Sequence, residues 1–302
     1  MKRIGLFLMV LAGVGMAGGL LAAERVKIPV RVTDKQGQPV WNLKSDSFTV
    51  LMDKEPVKVD FFLNPDAPVL IPLVFDTTGD LTYIDAMRKE LCRFVDNLPP
   101  IIQLMVLTAN DGLKVVQNNT SDKELLKKAI LNYSIKGYPG FLENFLSVSD
   151  AINKLVMKNK IKVCPIFITD SDIYKYRKQY TSADLNTEVD RIKGKLKESF
   201  VPIFVLRLSA GNNDTFSRNY EGLMRELART TGGEAEFPMG VAGVSTALAG
   251  TLHRIHGLYV VGWESDRIQP GKEHKVKITV QGPDGQELDA KIEYQDSFEI
   301  KK

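Results

Sequence analysis

The stretch VLIPLVFDTTGD, residues 69–80, decides the architecture. Residues 69–75 are all apolar, and so short an unbroken run suits a strand buried on both faces of a sheet. It stops at Asp76, which Thr77, Thr78, Gly79 and Asp80 follow. Outward from there, TYIDAMRKELCRFVDNL (82–98) has helical spacing, with Ile84, Met87, Leu91, Phe94 and Val95 on one face. IQLMVLTAN (102–110) reads as a strand, and GLKVVQNNT (112–120) returns beside it across Asn110-Asp111-Gly112. SDKELLKKAILNY (121–133) reads as a helix capped by Ser121, with Glu124 three residues on. LENFLSVSDAINKLVMKN (142–159) is helical, and KVCPIFITD (162–170) is a second buried strand. SADLNTEVDRIKGKLKESF (182–200) is an amphipathic helix opened by Thr181 or Ser182, and VPIFVLRLS (201–209) is a third buried strand. A helix closed by Gly232-Gly233, a short strand and a last helix ending at Gly257 complete the run. Strand alternating with helix predicts an α/β fold, a doubly wound and mostly parallel sheet covered on both faces.

Both flanks of this region are β-like. VKIPVRVTD (26–34) alternates with period two, and SFTVLMD (47–53) and VKVDFFL (57–63) surround the turn DKEP. After the last helix, 258–263, KEHKVKITVQG (272–282) and KIEYQDSFEI (291–300) return to strand character around the turn GPDGQ. Each flank is too small to bury a core alone. The expectation is therefore that 24–66 and 258–302 pair into one small β unit, with an α/β domain over 67–257 inserted between them.

Residues 1–23 read as an address. Lys2 and Arg3 precede an uncharged apolar run, and small residues precede Glu24, the layout of a secretory signal peptide cleaved after Ala23. The run over 4–23 is long enough to cross a bilayer, so a retained N-terminal anchor is the alternative, weakened by five glycines. The expected location is extracytoplasmic, periplasmic or secreted. The chain of 302 residues is 44% hydrophobic and 25% charged, as soluble globular proteins are. Its net charge of +3 falls to +1 without Lys2 and Arg3, which leaves no basic field for nucleic acid. Two cysteines make neither a disulfide framework nor a thiolate metal site. Export permits a Cys92–Cys164 bond, but the expectation is two thiols that pack as small hydrophobes.

Ligands of open α/β sheets bind beyond the carboxyl ends of the strands. Those ends here carry Asp76, Thr77, Thr78 and Asp80, then Thr169, Asp170, Ser171 and Asp172, then Arg207 and Ser209. Oxygen ligands without nearby nitrogen or sulfur suit a hard cation such as Mg²⁺, Mn²⁺ or Ca²⁺. Asp80 also serves as a helix N-cap candidate. IYKYRKQY (173–180) leaves the same edge, and Tyr174, Tyr176, Arg177 and Tyr180 are candidate partner-binding residues, as aromatics and arginine are enriched at interface hot spots.

VLIPLVFDTTGD resembles the first-strand segment of a von Willebrand factor type A (VWA) domain, with its Asp-x-Ser-x-Ser metal motif, called MIDAS. IFITDSD (166–172) resembles the later strand that supplies a second aspartate. LARTTGGEAEF (227–237), LYVVGW (258–263) and the leading segment 30–62 are similar to exported bacterial VWFA-related proteins. The resemblance spans 26–298 and implies a non-catalytic protein-binding module. It also implies a cation site of Asp76, Thr78, Asp80 and Asp170 holding Mg²⁺ or Ca²⁺. Asp80 replaces a serine of the motif, and aligning Asp150-Ala151-Ile152 with the family's Asp-Ala-hydrophobic run puts Leu146 where a threonine ligand belongs, with Ser147 or Ser149 as substitutes after a shift. Three carboxylates around a divalent ion leave one net negative charge, which weakens capture of an acidic partner. The outcomes are an altered cation site or a metal-free scaffold, the second being a structural adaptor.

Enzyme readings fare poorly. Asp-Thr-Thr-Gly lacks the glycine that an aspartic-protease motif needs directly after the first threonine, and Thr78 blocks an Asp-x-Asp phosphatase pattern. There is no Gly-x-Ser-x-Gly elbow and no P-loop. His253 and His256 read as a helix end, and His274 reads as solvated. The expected partner is another protein, with no nucleic acid, and no membrane unless residues 1–23 stay as an anchor.

Overall fold

The computed structural model describes residues 24–77, 81–110, 112–135, 140–158, 160–170, 181–208, 215–282 and 284–300. The α/β region is built on β5 (Val69–Asp76), every residue of which is buried. Val69, Ile71, Leu73 and Phe75 enter one apolar cluster, and Leu70 and Val74 enter another on the opposite face. Beside β5 lie β6 (Ile102–Thr108) and the antiparallel edge strand β7 (Lys114–Thr120). On its other side come β8 (Lys162–Val163), β9 (Ile166–Thr169), β10 (Phe204–Arg207) and β11 (Ala235–Glu236), all parallel. The order is β11-β10-β9-β5-β6-β7, a doubly wound sheet.

Among the described residues, three helices cover each face. α1 (Leu81–Asp96), α2 (Lys123–Asn132) and α6 (Gly240–His256) bring Ile84, Leu91, Ile130 and Leu248 to the first cluster. α3 (Phe141–Lys158), α4 (Ser182–Leu196) and α5 (Thr215–Thr230) bring Phe145, Ile152, Ile192 and Met224 to the second. The cap of α2 is Asp122 rather than Ser121: its carboxylate accepts from the amides of Glu124 and Leu125 at 2.9 and 3.1 Å. Thr181 opens α4 in a reciprocal box with Asp184. The single strand expected over 162–169 is two strands. Pro72 and Pro165 lack the N–H a ladder requires, and pairing with β5 is interrupted there.

The flanks form two sheets that share one core. β1 (Glu24–Thr33) lies between β12 (Leu258–Ser265) and β14 (Lys291–Tyr294), with β4 (Phe61–Leu63) outside β12. β13 (Glu273–Val280) lies between β2 (Phe48–Met52) and β15 (Ser297–Glu299), with β3 (Glu55–Val57) outside β2. Val26, Ile28 and Val30 of β1 meet Val276, Ile278 and Val280 of β13 in a core with Trp263 and Phe298. Strands from both ends of the chain thus build one sandwich, and the α/β region leaves it after β4 and returns at β12.

His274 is fully buried, contrary to the solvated position expected. The alternation that turns Val276, Ile278 and Val280 inward turns His274 inward as well. Its Nδ1 lies 2.8 Å from Asp53 Oδ2, and its Nε2 accepts from the Gln269 amide at 3.1 Å. An acceptor at Nε2 places the proton on Nδ1, where it is donated to Asp53. The Lys275 amide also donates to Asp53 and holds its carboxyl below the usual carboxylate range. Cys92 and Cys164 are free thiols, and burial pushes Cys164 up to about 12, which leaves it unreactive.

Two tests follow from the packing. Gly233 closes α5 against β10, and a Cβ there would sit 1.9 Å from the Ile203 carbonyl oxygen. Its neighbour Gly232 has φ +80° and open space around it. Gly233→Ala is expected to destabilise by about 3 kcal/mol and Gly232→Ala by about 1 kcal/mol, read by urea denaturation. Lys162 is 1% exposed, and burial pushes its amine down to about 8, with Cys164 and Asp66 opposing. Below pH 8 the folded and unfolded chains both carry the proton, and the cost of the buried charge is fully present. Between pH 8 and 10.5 the unfolded chain keeps a proton that the folded chain has released, so stability rises by about 3 kcal/mol. Lys162→Met is expected to lack this rise in melts across that window.

Candidate functional site

The chain leaves β5 toward β6 and β7, then returns on the other side as β9, β10 and β11. The strand order therefore reverses between β5 and β9, and the carboxyl ends of these two strands mark the switch point at which open α/β sheets take ligands. Asp76 ends β5 there and is fully buried. It is in register with Thr169, the last residue of β9, which is in register with Arg207, the last residue of β10. Side chains in register on parallel strands point to one face. Asp76, Thr169 and Arg207 thus form a polar row above the apolar face that α3, α4 and α5 cover. Asp76 Oδ2 accepts from Thr169 Oγ1 at 3.1 Å, and Oδ1 accepts from the Gly140 amide, just before α3, at 3.0 Å. Buried Arg207 pairs with Glu221 of α5.

Thr77 begins a second network. Its Oγ1 lies 3.0 Å from the Tyr133 hydroxyl, and its carbonyl accepts from Asn110 Nδ2 at 2.9 Å. Ala109, next to Asn110, donates its amide to Phe75 O at 2.8 Å and accepts from Asn144 Nδ2 at 2.6 Å. The Tyr133 ring stacks on Phe75 with centroids 4.2 Å apart, and the Arg88 guanidinium lies 4.4 Å from the ring centroid. Arg88 Nη2 also donates to Tyr133 O at 2.7 Å. Burial, aided by the Asp170 carboxylate, lifts the Tyr133 phenol above its ordinary value, so it stays protonated beside the Thr77 hydroxyl. The ends of β5, β6, β9, α2 and the start of α3 are thereby joined through hydrogen bonds.

Of the candidate residues, Asp76 and Asp170 are both at this crest, Asp170 half-buried one residue beyond β9. Thr78, Asp80, Tyr174, Tyr176, Arg177 and Tyr180 lie outside the described residues. Leu146 is not the residue that meets Asp76. It lies within α3 and packs against the second cluster, while Gly140 reaches the carboxylate. Ser149 is buried elsewhere and donates to Ser199 at 2.7 Å, and Ser147 is exposed. From sequence, Thr169 is placed among the oxygen donors at the strand ends without being named a ligand, Gly140 and Tyr133 are not singled out, and Asn110 is read only as part of a turn. Their partners lie 33 to 93 residues away, beyond the reach of any local motif.

The donor chemistry tests whether a cation fits. Among the described residues no three His, Cys, Asp or Glu side chains gather as a metal-binding group. Each Asp76 oxygen already accepts from a protein donor, and the Gly140 amide cannot rotate away as a hydroxyl can. The hydroxyls of Thr77 and Thr169 are engaged with Tyr133 and Asp76. The described donors thus hold the Asp76 carboxylate at one hydrogen bond per oxygen, and each oxygen keeps a second lone pair; Thr78 and Asp80, two of the four candidate ligands, lie outside the described residues.

No protein-family model and no curated protein matches the sequence. Solved structures match in fold. A von Willebrand factor type A protein from Catenulispora acidiphila is 10% identical over 93% of this chain and 74% of that one, with a TM-score of 0.48. The PilB minor pilin from Streptococcus sanguinis is 11% identical over 63% of this chain and 62% of that one, with a TM-score of 0.50. Proximal thread matrix protein 1 from the mussel byssus, solved with a zinc-occupied MIDAS motif, is 15% identical over 67% of this chain and 49% of that one, with a TM-score of 0.43. The match thus spans less than two thirds of the pilin and about half of the thread protein. At such identities the likeness concerns the fold alone. The α/β region itself has the doubly wound topology that the von Willebrand factor type A resemblance implies.

The crest network is open to direct test. Thr169→Val removes a donor to a buried carboxylate and is expected to cost about 2 kcal/mol, whereas Tyr133→Phe, which removes a neutral bond, should cost about 1 kcal/mol. Urea denaturation of both variants checks the order. Equal and negligible costs would show that the network contributes nothing to stability.

Proposed function

We propose that this is an exported, non-catalytic protein-binding module whose VWA crest is held together by its own hydrogen bonds rather than by a cation. The observation that carries this reading is the Asp76 carboxylate, buried at the switch point and bonded at both oxygens by donors from two other loops. A carboxylate so held fixes the loops around it without a bridging ion. Binding would then fall to side chains around the crest, and the sequence offers 173–180, with its tyrosines and Arg177, as the candidate segment. The address-like residues 1–23 support export. Among the described residues, no helix is long and apolar enough to cross a membrane.

The alternative within the same fold is an altered cation site using Asp76, Thr78, Asp80 and Asp170 with Mg²⁺ or Ca²⁺. Thermal melts of the purified protein in EDTA and in millimolar Mg²⁺, Ca²⁺ or Mn²⁺ separate the two readings. A cation at ~100 times its dissociation constant would add about 2.7 kcal/mol. The proposed reading expects one midpoint in all four conditions and an Asp76→Ala loss that no cation alters. A cation-dependent rise that Asp76→Ala abolishes would overturn it.

A further inference from the structure

The chain crosses between the sandwich and the α/β domain twice, after β4 and between α6 and β12. Lys162, on the α/β side, sits at both crossings. Its Nζ donates to Pro65 O at 2.7 Å on the outgoing crossing, and to His256 O at 3.3 Å and Leu258 O at 3.4 Å on the returning one. Three carbonyls match the three protons of an ammonium group. His256 O also lies at the carboxyl end of α6, where the helix dipole favours a cation.

A second buried lysine crosses the seam in the opposite direction. Lys27 lies on β1, between Val26 and Ile28, whose side chains enter the sandwich core; it points outward, toward the α/β domain. It is 4% exposed. Its Nζ donates to Val156 O, in the last turn of α3, at 2.9 Å and lies 4.4 Å from the centroid of the Phe61 ring on β4. Both lysines line one cavity of about 20 Å³ in the seam, with Phe61, Phe200, Leu258 and Val260. The volume is that of roughly one water molecule. Around this cavity the seam is thus apolar apart from two ammonium groups, one from each unit, each ending on the other unit's backbone or on the crossings, while the Arg31–Glu234 and Lys197–Glu273 pairs cross between the units at more exposed positions. The charged and titratable groups that bear on Lys162 are Asp66, Cys164 and His256, and Arg25 bears on Lys27.

Apolar packing alone would let two units slide, because it is non-directional. Buried ammonium groups bonded to specific carbonyls do not allow this, since displacement leaves a charge without partners in an apolar seam. We propose that Lys27 and Lys162 form a reciprocal brace that makes the sandwich and the α/β domain a single cooperative body.

The molecule carries its own probes for this. Its two tryptophans, Trp41 and Trp263, both belong to the β flanks, whereas all six described α-helices belong to the α/β domain. Trp41 packs on His256 of α6 with centroids 5.2 Å apart, so a Trp41→Phe background leaves Trp263, in the sandwich core, as the reporter. Urea unfolding is followed by Trp263 fluorescence and by helical circular dichroism. The two curves are expected to coincide in this background and to separate by roughly 0.5 M urea or more in Lys162→Met. Lys27→Met removes fewer bonds and serves as the second variant should Lys162→Met not fold; it is expected to separate the curves by a smaller interval. Curves that already differ in the background, or that coincide in Lys27→Met, would overturn the brace.

Discussion

A carboxylate at the end of a strand buried on both faces must be met by donors, because an unpaired charge there costs several kcal/mol. β5 is such a strand and Asp76 is such a carboxylate. The sheet supplies one donor through register, since Thr169 stands opposite Asp76 at the same level of β9. The chain supplies the other by bringing Gly140 to the start of α3. Around that point Thr77, Tyr133, Asn110 and Asn144 continue the bonding from loop to loop. The crest is organised by the need to satisfy one buried charge.

The same logic operates at the other end of the domain. There the buried charges are cations, Lys27 and Lys162, and the acceptors are backbone carbonyls at helix ends and at the crossings. A domain inserted into a sandwich built from both chain ends meets it at the two crossings and along the seam that Lys27 and Lys162 line. Polar groups at that seam define an orientation, which apolar contact alone does not.

The architecture was legible because its signals are local. Runs such as VLIPLVF and PIFVL can be buried only in a sheet covered on both faces, and the helices between them show period 3.6. The period-two flanks could be paired with each other because neither had enough apolar residues to stand alone. Where local signals competed, readings failed. Ser121 and Asp122 both suit a cap, and geometry chose Asp122. His274 looked solvated among Lys272, Glu273 and Lys275, yet the alternation of its own strand points it inward. The break between β8 and β9 has its local sign in Pro165, which has no N–H to give a ladder, although the apolar residues on either side read as one run. At the crest, Asp76 and Asp170 were legible as carboxylates after strands, while Gly140 was not, since its contribution is a backbone amide that no residue type announces. Leu146, the position aligned with the family's threonine, lies inside α3, and the backbone donor that reaches Asp76 is Gly140 just before that helix.

A crest held by protein donors does not need an ion to hold its shape, so recognition would depend on the side chains its loops present. The most direct test observes the Gly140 amide. In a ¹⁵N-labelled protein titrated with Mn²⁺, that amide signal is expected to persist unbroadened and to remain protected from solvent exchange. Selective broadening of Gly140 and Thr169 at submillimolar Mn²⁺, reversed by excess Mg²⁺, would show an ion at Asp76 and contradict a self-satisfied carboxylate.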